Sequence, residues 1–219
     1  MLLELRDVTV EYPTPGRDAG TLKALDHLSL SVGSGEAVCI IGPSGCGKST
    51  ALRLASGLAK PTEGEVLAHG ERITGPRDDC ALILQDYGLL PWMNVYKNAE
   101  LGLSVRGIEK EERRRRTLEA LERVGLAGFE KAWPSELSGG MQQRLALARA
   151  VAMQADLLLM DEPLSALDAL LREDMQLMLL RLWNEGGYGQ LLVTHSIEEA
   201  VLLGQRIVVM APRPGRIVA

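Results

Sequence analysis

The spacing of apolar positions changes along the chain, and these changes predict alternating strands and helices. Two segments near the amino terminus alternate loosely between apolar and polar residues, as strands with one solvated face do. Their apolar positions are Leu3, Leu5, Val8 and Val10, followed by Leu25, Leu28, Leu30 and Val32. Later segments are continuously apolar, which is typical of strands buried in a parallel sheet: residues 37–41, 81–84, 157–160, 191–193 and 207–210. Helical patterns separate most of these strands, so we expect an α/β fold with a largely parallel sheet.

One long stretch, residues 86–135, has no buried-strand pattern and is predicted to be mainly helical. We expect it to form a helical subdomain inserted into a single domain that spans 1–219, whose core comprises 1–85 and 136–219. Residues 113–116 are all arginine, which could form a nucleic-acid patch. Acidic residues at positions 109, 111 and 112 favour a solvated helix face instead.

Composition and charge narrow the classes of function. The 219 residues include 24 Lys+Arg and 29 Asp+Glu, a net charge of −5, and only 4% are aromatic. Such a chain lacks the charge and the stacking surface of a typical nucleic-acid binder, so no nucleic-acid partner is expected. No apolar run approaches the about 20 residues of a spanning helix, and the amino terminus does not resemble a signal peptide. The three cysteines lack metal-binding spacing, which fits a reducing cytoplasm.

A glycine-rich loop after the apolar run 37–41 predicts a phosphate-binding site. Its residues match G-x-x-x-x-G-K-[ST] between a strand and a helix: Gly42, Pro43, Ser44, Gly45, Cys46, Gly47, Lys48, Ser49 and Thr50. Glycines let backbone N–H groups face a phosphate, Lys48 supplies charge to the β- and γ-phosphates, and the Ser49 hydroxyl can bind Mg²⁺. Cys46 is either a small residue that fits the loop or a reactive thiol near a helix N-terminus.

Two acidic residues and the start of a second helix are further candidates for binding a nucleotide and its metal ion. Asp161 and Glu162 follow the apolar run 157–160, at the strand end where ligands of open α/β sheets bind. Asp161 is expected to hold Mg²⁺, and Glu162 to polarise the attacking water. Residues 138–140 (Ser-Gly-Gly) begin a predicted helix and would let an anion approach its N-terminus. A second anion site suggests that it serves the nucleotide of another subunit, although a simple helix cap would have the same pattern.

Together these motifs resemble the ATP-binding subunit of ABC transporters, over essentially the whole chain. The matching segments occur in a fixed order: Lys48 in its loop, Gln85, Leu-Ser-Gly-Gly-Met-Gln at 137–142, Asp161-Glu162, Ser-Ala-Leu-Asp at 165–168, and Thr194-His195. The motif at 137–142 is highly specific to this family. The resemblance implies a P-loop NTPase fold: a RecA-like core with a largely parallel sheet, an N-terminal antiparallel β part and an inserted helical subdomain.

The resemblance also implies roles for individual residues at the ATP–Mg²⁺ site. Tyr12 would stack on adenine, and Gln85 would touch Mg²⁺ and sense the γ-phosphate. His195 would contact the γ-phosphate and position water. The catalytic set then comprises Glu162, His195, Gln85 and Lys48, and the Mg²⁺ set comprises Ser49, Gln85 and Asp161.

A homodimer is implied by the same family pattern. Ser138, Gly139 and Gly140 would bind the nucleotide held by the opposite subunit. Asp168 would contact that subunit and help to shape the hydrolytic site. Closure on ATP and reopening after hydrolysis would then move the attached membrane subunits.

Two short segments resemble the nitrate, sulfonate and taurine importer branch: residues 89–95 and the Arg-Pro-Gly-Arg sequence at 213–216. This branch implies integral membrane permease subunits, an external solute-binding protein and a location on the cytoplasmic face of the inner membrane. We expect no room for a C-terminal regulatory domain. Leu89, Leu90 and Trp92 directly follow Gln85 and form either subdomain core or a docking surface for the membrane subunit; their position favours docking.

Other users of a phosphate loop fit less well. A DNA-repair ABC ATPase would have a long coiled-coil insertion before residue 138, and this segment lacks sustained heptads. A translation-associated ABC protein would carry two cassettes, and a nucleotide kinase would not need residues 137–142. A free ABC ATPase that drives lipoprotein release or a cell-division complex remains the alternative, which the Trp92 segment and the chain's ending disfavour.

Overall fold

The computed structural model describes residues 1–14 and 20–219, and its first sheet is antiparallel. Strand β1 (Leu3–Pro13) lies between β2 (Thr21–Val32) and β4 (Glu63–Ala68), and the short β5 (Glu71–Arg72) pairs with β4. The predicted strands near the amino terminus are therefore confirmed. Strands β4 and β5 were not predicted, because charged residues and a glycine interrupt their apolar pattern.

The sequence Tyr-Pro-Thr-Pro-Gly at 12–16 is typical of a turn, but β1 continues into its first two residues. Tyr12 and Pro13 belong to β1 and pair with Leu22 and Thr21 of β2. Pro15 and Gly16 lie outside the described residues. Pairing with β2 thus extends β1 beyond the point where local turn chemistry would end it.

The second sheet is parallel and has the strand order β6-β7-β8-β3-β9. Its strands are β3 (Ala37–Ile41), β6 (Cys80–Ile83), β7 (Leu157–Asp161), β8 (Gly189–Thr194) and β9 (Arg206–Val209). All four neighbouring pairs are parallel, as predicted, although Leu84 is exposed and lies beyond β6. Strands β7, β8 and β3 are adjacent, so their carboxyl ends meet at one edge of the sheet.

Six α-helices and one 3₁₀ turn are described. They are α1 (Lys48–Ala55), α2 (Val95–Val105), α3 (Lys110–Arg123), the 3₁₀ turn Pro134–Glu136, α4 (Gly139–Ala152), α5 (Ala169–Gly186) and α6 (Ile197–Leu203). Across residues 1–14 and 20–219, none of these helices is both long and apolar enough to cross a membrane.

Two apolar clusters fill the fold, one on each face of the parallel sheet. The first packs Leu5 of the antiparallel sheet and Leu52 of α1 against Ile40 of β3. The second packs Val95 of α2 and Leu121 of α3 with Met160 of β7. The sheet therefore forms a middle layer, buried on both faces as its apolar strands predicted.

The stretch 86–135 is helical where it has regular structure, and no strand is described within it. Helices α2 and α3 pack on each other and on α4. They share an apolar cluster with β7 and are connected to the sheet through α4, which also packs on β6. Their treatment as a separate subdomain remains a prediction.

Candidate nucleotide site

The phosphate loop, residues 42–47, connects β3 to α1. Gly45 and Gly47 have φ values of +77° and +102°, a region that favours glycine. A Cβ atom on Gly47 would lie 2.6 Å from Leu25 Cδ2 and 2.8 Å from the Ala24 carbonyl oxygen. Both backbone conformation and space therefore require glycine at this position, and the loop ends at the N-terminus of α1.

Lys48 is almost completely buried, at 5% exposure, beneath this loop. Its Nζ atom donates hydrogen bonds to the carbonyl oxygens of Gly42 (2.8 Å) and Pro43 (3.1 Å). The same atom lies 3.8 Å from Glu162 Oε1. The ammonium group is therefore held between the loop and the end of β7, where a phosphate could exchange with the carbonyl partners.

Ser49 and Asp161 meet although they come from different elements. The Ser49 hydroxyl donates to Asp161 Oδ1 at 3.0 Å. Burial raises the pKa of Asp161, Glu162 raises it further, and the hydrogen bond from Ser49 opposes the change. A nearby divalent cation would favour the ionised carboxylate, and hydroxyl and carboxylate oxygens are typical Mg²⁺ ligands. The donor set therefore fits Mg²⁺.

Glu162 and His195 also meet at this edge of the sheet. Glu162 Oε2 lies 3.1 Å from His195 Nδ1, and the His195 side chain is 58% exposed. Glu162 has a φ of +46°, which is uncommon for a residue with a side chain. Its N–H donates to the Val193 carbonyl (2.9 Å), and its own carbonyl accepts from Ser165 Oγ (3.0 Å). These bonds direct the carboxylate towards both Lys48 and the imidazole.

The segment 138–140 begins α4 in an open position. The Ser138 hydroxyl accepts a hydrogen bond from the Met141 N–H at 3.3 Å, as a helix cap does. Ser138 and Gly139 are exposed, whereas Gly140 is buried and a Cβ there would lie 3.2 Å from Leu171. Among the described residues, no hydrogen bond links this segment to the phosphate loop of the same chain.

The structure leaves three other predicted residues apart from this cluster. Tyr12 is partly exposed near the end of β1, and Gln85 is exposed in the turn after β6. Asp168 is exposed and caps α5 by accepting from the Leu171 N–H at 3.0 Å. Over the described ranges, none of the three makes a hydrogen bond to the Lys48, Glu162 and His195 group.

Cys46 is buried, at 1% exposure, and packs in the apolar cluster that contains Leu25 and Met210. Its thiol therefore points away from the space that a nucleotide would occupy. This burial favours the interpretation of Cys46 as a small residue that fits the loop. It argues against a reactive thiol.

The segment 89–94 follows Gln85 and is called the docking segment for its predicted role; its three predicted residues differ in burial. Leu89 packs partly against the core, Leu90 is half-buried, and Trp92 is 68% exposed. Leu89 thus contributes partly to the core, whereas the Trp92 side chain lies mostly in solvent. The exposed indole is available for a partner.

Two polar residues that the sequence analysis missed hold this region in place. Asn98 is fully buried, and its side chain bonds the backbone of the docking segment, including the Met93 carbonyl at 2.8 Å. Arg149 of α4 donates to the carbonyls of Gly88 (2.6 Å) and Tyr87 (2.7 Å). The region after Gln85 is thereby connected to the helix that begins at residues 138–140. The position of Arg149 between two alanines of α4 was the available signal.

Comparison with known proteins gives the class of this site. A family model described as ABC transporter matches residues 25–165. A solved dimeric structure of the ATP-binding cassette MJ0796, bound to ADP and Pi in a post-hydrolysis state, superposes with a TM-score of 0.85. It is 35% identical, and the match covers 99% of this chain and 97% of that one. The chain belongs to the ABC transporter family, and it is an ATP-binding, ATP-hydrolysing subunit with the predicted P-loop NTPase fold.

Curated relatives indicate the transport branch. The taurine import ATP-binding protein TauB of Burkholderia pseudomallei is 51% identical over 200 residues, which is 91% of this chain and 77% of that protein. TauB of Sinorhizobium fredii is 47% identical over 219 residues, which is 99% of this chain and 81% of that protein. The predicted import function is thus confirmed at the level of an import ATPase subunit.

Proposed function

We propose that this chain powers import of taurine or a related small sulfonate, through separate permease subunits. The proposal rests on a site where residues from several elements meet, in a chain about half identical to TauB. Within it, Lys48 lies between the phosphate loop and Glu162, and Ser49 bonds Asp161. ATP hydrolysis at this site supplies the energy, while solute contacts belong to the other subunits.

The phosphate loop and Lys48 bind the phosphates of ATP in this proposal. Inward-facing N–H groups and the N-terminus of α1 provide a positive environment, to which the Lys48 ammonium adds a full charge. Tyr12 is exposed near the end of β1 and stacks on adenine. Ser49, Asp161 and Gln85 would hold Mg²⁺, which would neutralise phosphate charge.

Glu162 acts as the group that polarises the attacking water. Its carboxylate is close to Lys48 and to His195, so one side chain faces both the phosphate-binding charge and an imidazole. His195 is exposed enough to contact a γ-phosphate and to orient that water. A carboxylate held in this way can accept a proton as the oxygen–phosphorus bond forms.

The complete site forms between two copies of the chain. Ser138 and Gly139 are exposed at the start of a 14-residue helix, so they can reach a nucleotide bound by the other subunit. Asp168 is exposed at the start of α5 and contacts the same partner. The cassette MJ0796, which superposes closely, has been solved as a dimer.

Docking to the permease uses the exposed Trp92 and the neighbouring Leu89 and Leu90. The proposal places the chain peripherally on the cytoplasmic face of the membrane, with an external solute-binding protein in the complete system. Helices α2 and α3, within residues 86–135, act as the subdomain that carries this contact. Residues 1–85 and 136–219 act as the core that carries the nucleotide.

The proposed roles are tested by replacing Glu162 with Gln, which keeps shape and removes the charge. We expect turnover to fall about 100-fold or more, as for loss of a general base, while ATP binding is retained and an ATP-bound dimer accumulates. Single-turnover hydrolysis, titration with a fluorescent ATP analogue and size-exclusion chromatography measure the three effects.

Lys48→Ala is the matched variant, because it removes the phosphate-facing charge and should weaken nucleotide binding itself. Near-normal turnover of Glu162→Gln would remove Glu162 from its proposed role. Transport assays with taurine and an alkanesulfonate, in membranes containing the permease, test the solute class separately.

A further inference from the structure

The segment that follows β9, residues 210–217, lies directly behind the phosphate loop. The Gly215 N–H donates to the Ala24 carbonyl, and the Gly215 carbonyl accepts from the Asp26 N–H, both at 3.0 Å. Met210 and Ile217 form an antiparallel bridge, so the segment folds back on itself. It is therefore attached to β2 by backbone bonds on both sides of Gly215.

The contact between this segment and the loop is close enough to exclude side chains. A Cβ on Gly215 would lie 2.0 Å from the Cys46 carbonyl oxygen, and a Cβ on Gly42 would lie 2.8 Å from the Met210 carbonyl oxygen. The backbone of this segment therefore packs directly on the backbone of the phosphate loop. A shift of the segment would have to move the phosphate loop as well.

An ion pair attaches the far end of the segment to β2. Arg216 Nε donates to Asp26 Oδ2 at 2.6 Å, and Lys23 Nζ bonds the other oxygen at 3.0 Å. The Asp26 carboxylate is only 3% exposed. The hydrogen bonds from Lys23 and Arg216 hold its pKa below the ordinary value, so it is ionised at neutral pH.

Arg213 extends from this fixed segment to the outer side of the phosphate loop. Its Nε atom donates to the Gly45 carbonyl at 3.2 Å, and Nη2 would lie 3.1 Å from a Cβ on Gly45. In a trans peptide the C=O and N–H bonds point in opposite directions. With the Gly45 oxygen directed to Arg213, the Cys46 N–H is turned into the loop, where it reaches the Pro43 carbonyl at 3.3 Å.

We propose that Arg213 is a positioning residue for nucleotide binding, which holds the 45–46 peptide so that the Cys46 N–H faces the bound phosphates. The proposal rests on ATP binding at the phosphate loop. Arg213 acts through the peptide and does not take part in the bond-breaking step. Its loss should therefore weaken binding of nucleotides with two or more phosphates and leave the rate of hydrolysis at saturation unchanged.

The test compares Arg213→Gln and Arg213→Lys with the unmodified chain. For Arg213→Gln we expect KM for ATP and Kd for ADP to rise about threefold to tenfold, the effect of one lost hydrogen bond. We expect kcat to stay within about twofold of the original value, in line with an effect on binding alone. Arg213→Lys should recover part of the affinity, because an ammonium group can still donate to the Gly45 carbonyl.

Arg72→Gln provides the matched control. Arg72 is also exposed, and it donates a side-chain hydrogen bond to a backbone carbonyl, that of Gly64 at 3.4 Å. The substitution makes the same change in net charge away from the loop. It should leave KM, Kd and kcat unaltered.

Three outcomes would overturn the proposal. The first is a KM for Arg213→Gln no higher than that for Arg72→Gln, and the second is a fall in kcat of Arg213→Gln without a rise in KM. The third is full recovery of nucleotide affinity in Arg213→Lys, together with loss of the Arg213→Gln effect at high salt. The last would mean that Arg213 supplies only general charge. In each case the unmodified chain still hydrolyses ATP, whereas absence of ATP binding by the unmodified chain would reject the proposed function itself.

Discussion

Replacing the exposed Trp92 with alanine should separate folding from assembly with the membrane subunit. The indole is 68% exposed, and the backbone around it is held by the buried Asn98, which bonds the carbonyls of Leu90 and Met93. The segment should therefore keep its conformation when the indole is removed. What changes is the apolar surface offered to a partner.

The magnitude follows from the area of the side chain. A tryptophan side chain has a surface of up to about 250 Å². About 170 Å² of it is exposed and available to a partner, and about 80 Å² is already buried within the subunit. At about 25 cal/mol per Å², these areas set upper limits of ~4 kcal/mol for docking and ~2 kcal/mol for folding. A loss of even ~2 kcal/mol in docking corresponds to about a thirtyfold weaker Kd.

The assay is co-purification of the chain with its permease, together with a thermal melt of the free subunit. For Trp92→Ala we expect assembly and solute-coupled ATPase activity to fall, while the free subunit retains its basal ATPase activity and most of its melting temperature. Leu177→Ala is the control, because Leu177 is similarly exposed, at 64%, but lies on α5, whereas Trp92 lies in the turn before α2. A large drop in melting temperature with unchanged assembly of the folded fraction would show that Trp92 stabilises the subunit and does not dock.

Two further predictions concern the shared site and the thiols. Ser138→Arg should be inactive alone, because it places a bulky charge where a neighbour's γ-phosphate binds, and mixing it with Lys48→Ala should restore some ATPase activity through one intact composite site. Full activity of Ser138→Arg at dilutions that keep the chain monomeric would contradict this. Cys39, Cys46 and Cys80 are buried, and burial raises the pKa of Cys39 to about 12 and that of Cys80 to about 11. The folded chain should therefore react slowly with maleimide near pH 7 and faster as pH rises, whereas the unfolded chain should react rapidly. Rapid labelling of the folded chain that ATP slows and that Cys46→Ser abolishes would refute the assignment of Cys46 as buried.

Local sequence determined the parts of the site that lie within one turn or one strand end. The phosphate loop needs glycine at positions 45 and 47 for its left-handed backbone, and Lys48 and Ser49 follow it at fixed spacing. An apolar strand followed by two acids at 161 and 162 likewise fixed where those carboxylates would lie. These features could be predicted because each depends on neighbouring residues and on standard strand and helix geometry.

Tertiary structure decided which distant residues meet and which side chains remain exposed. The Ser49–Asp161 bond spans 112 positions, and the family resemblance, not a local pattern, placed both residues at one site. The contact of Arg213 with Gly45 spans 168 positions, and neither a local pattern nor the resemblance indicated it. The same packing buried Cys46 against the cluster of Leu25 and left Trp92 in solvent. Sequence spacing specifies which elements form, but side-chain burial and contacts depend on how those elements pack, because strand order brings together residues that are far apart along the chain.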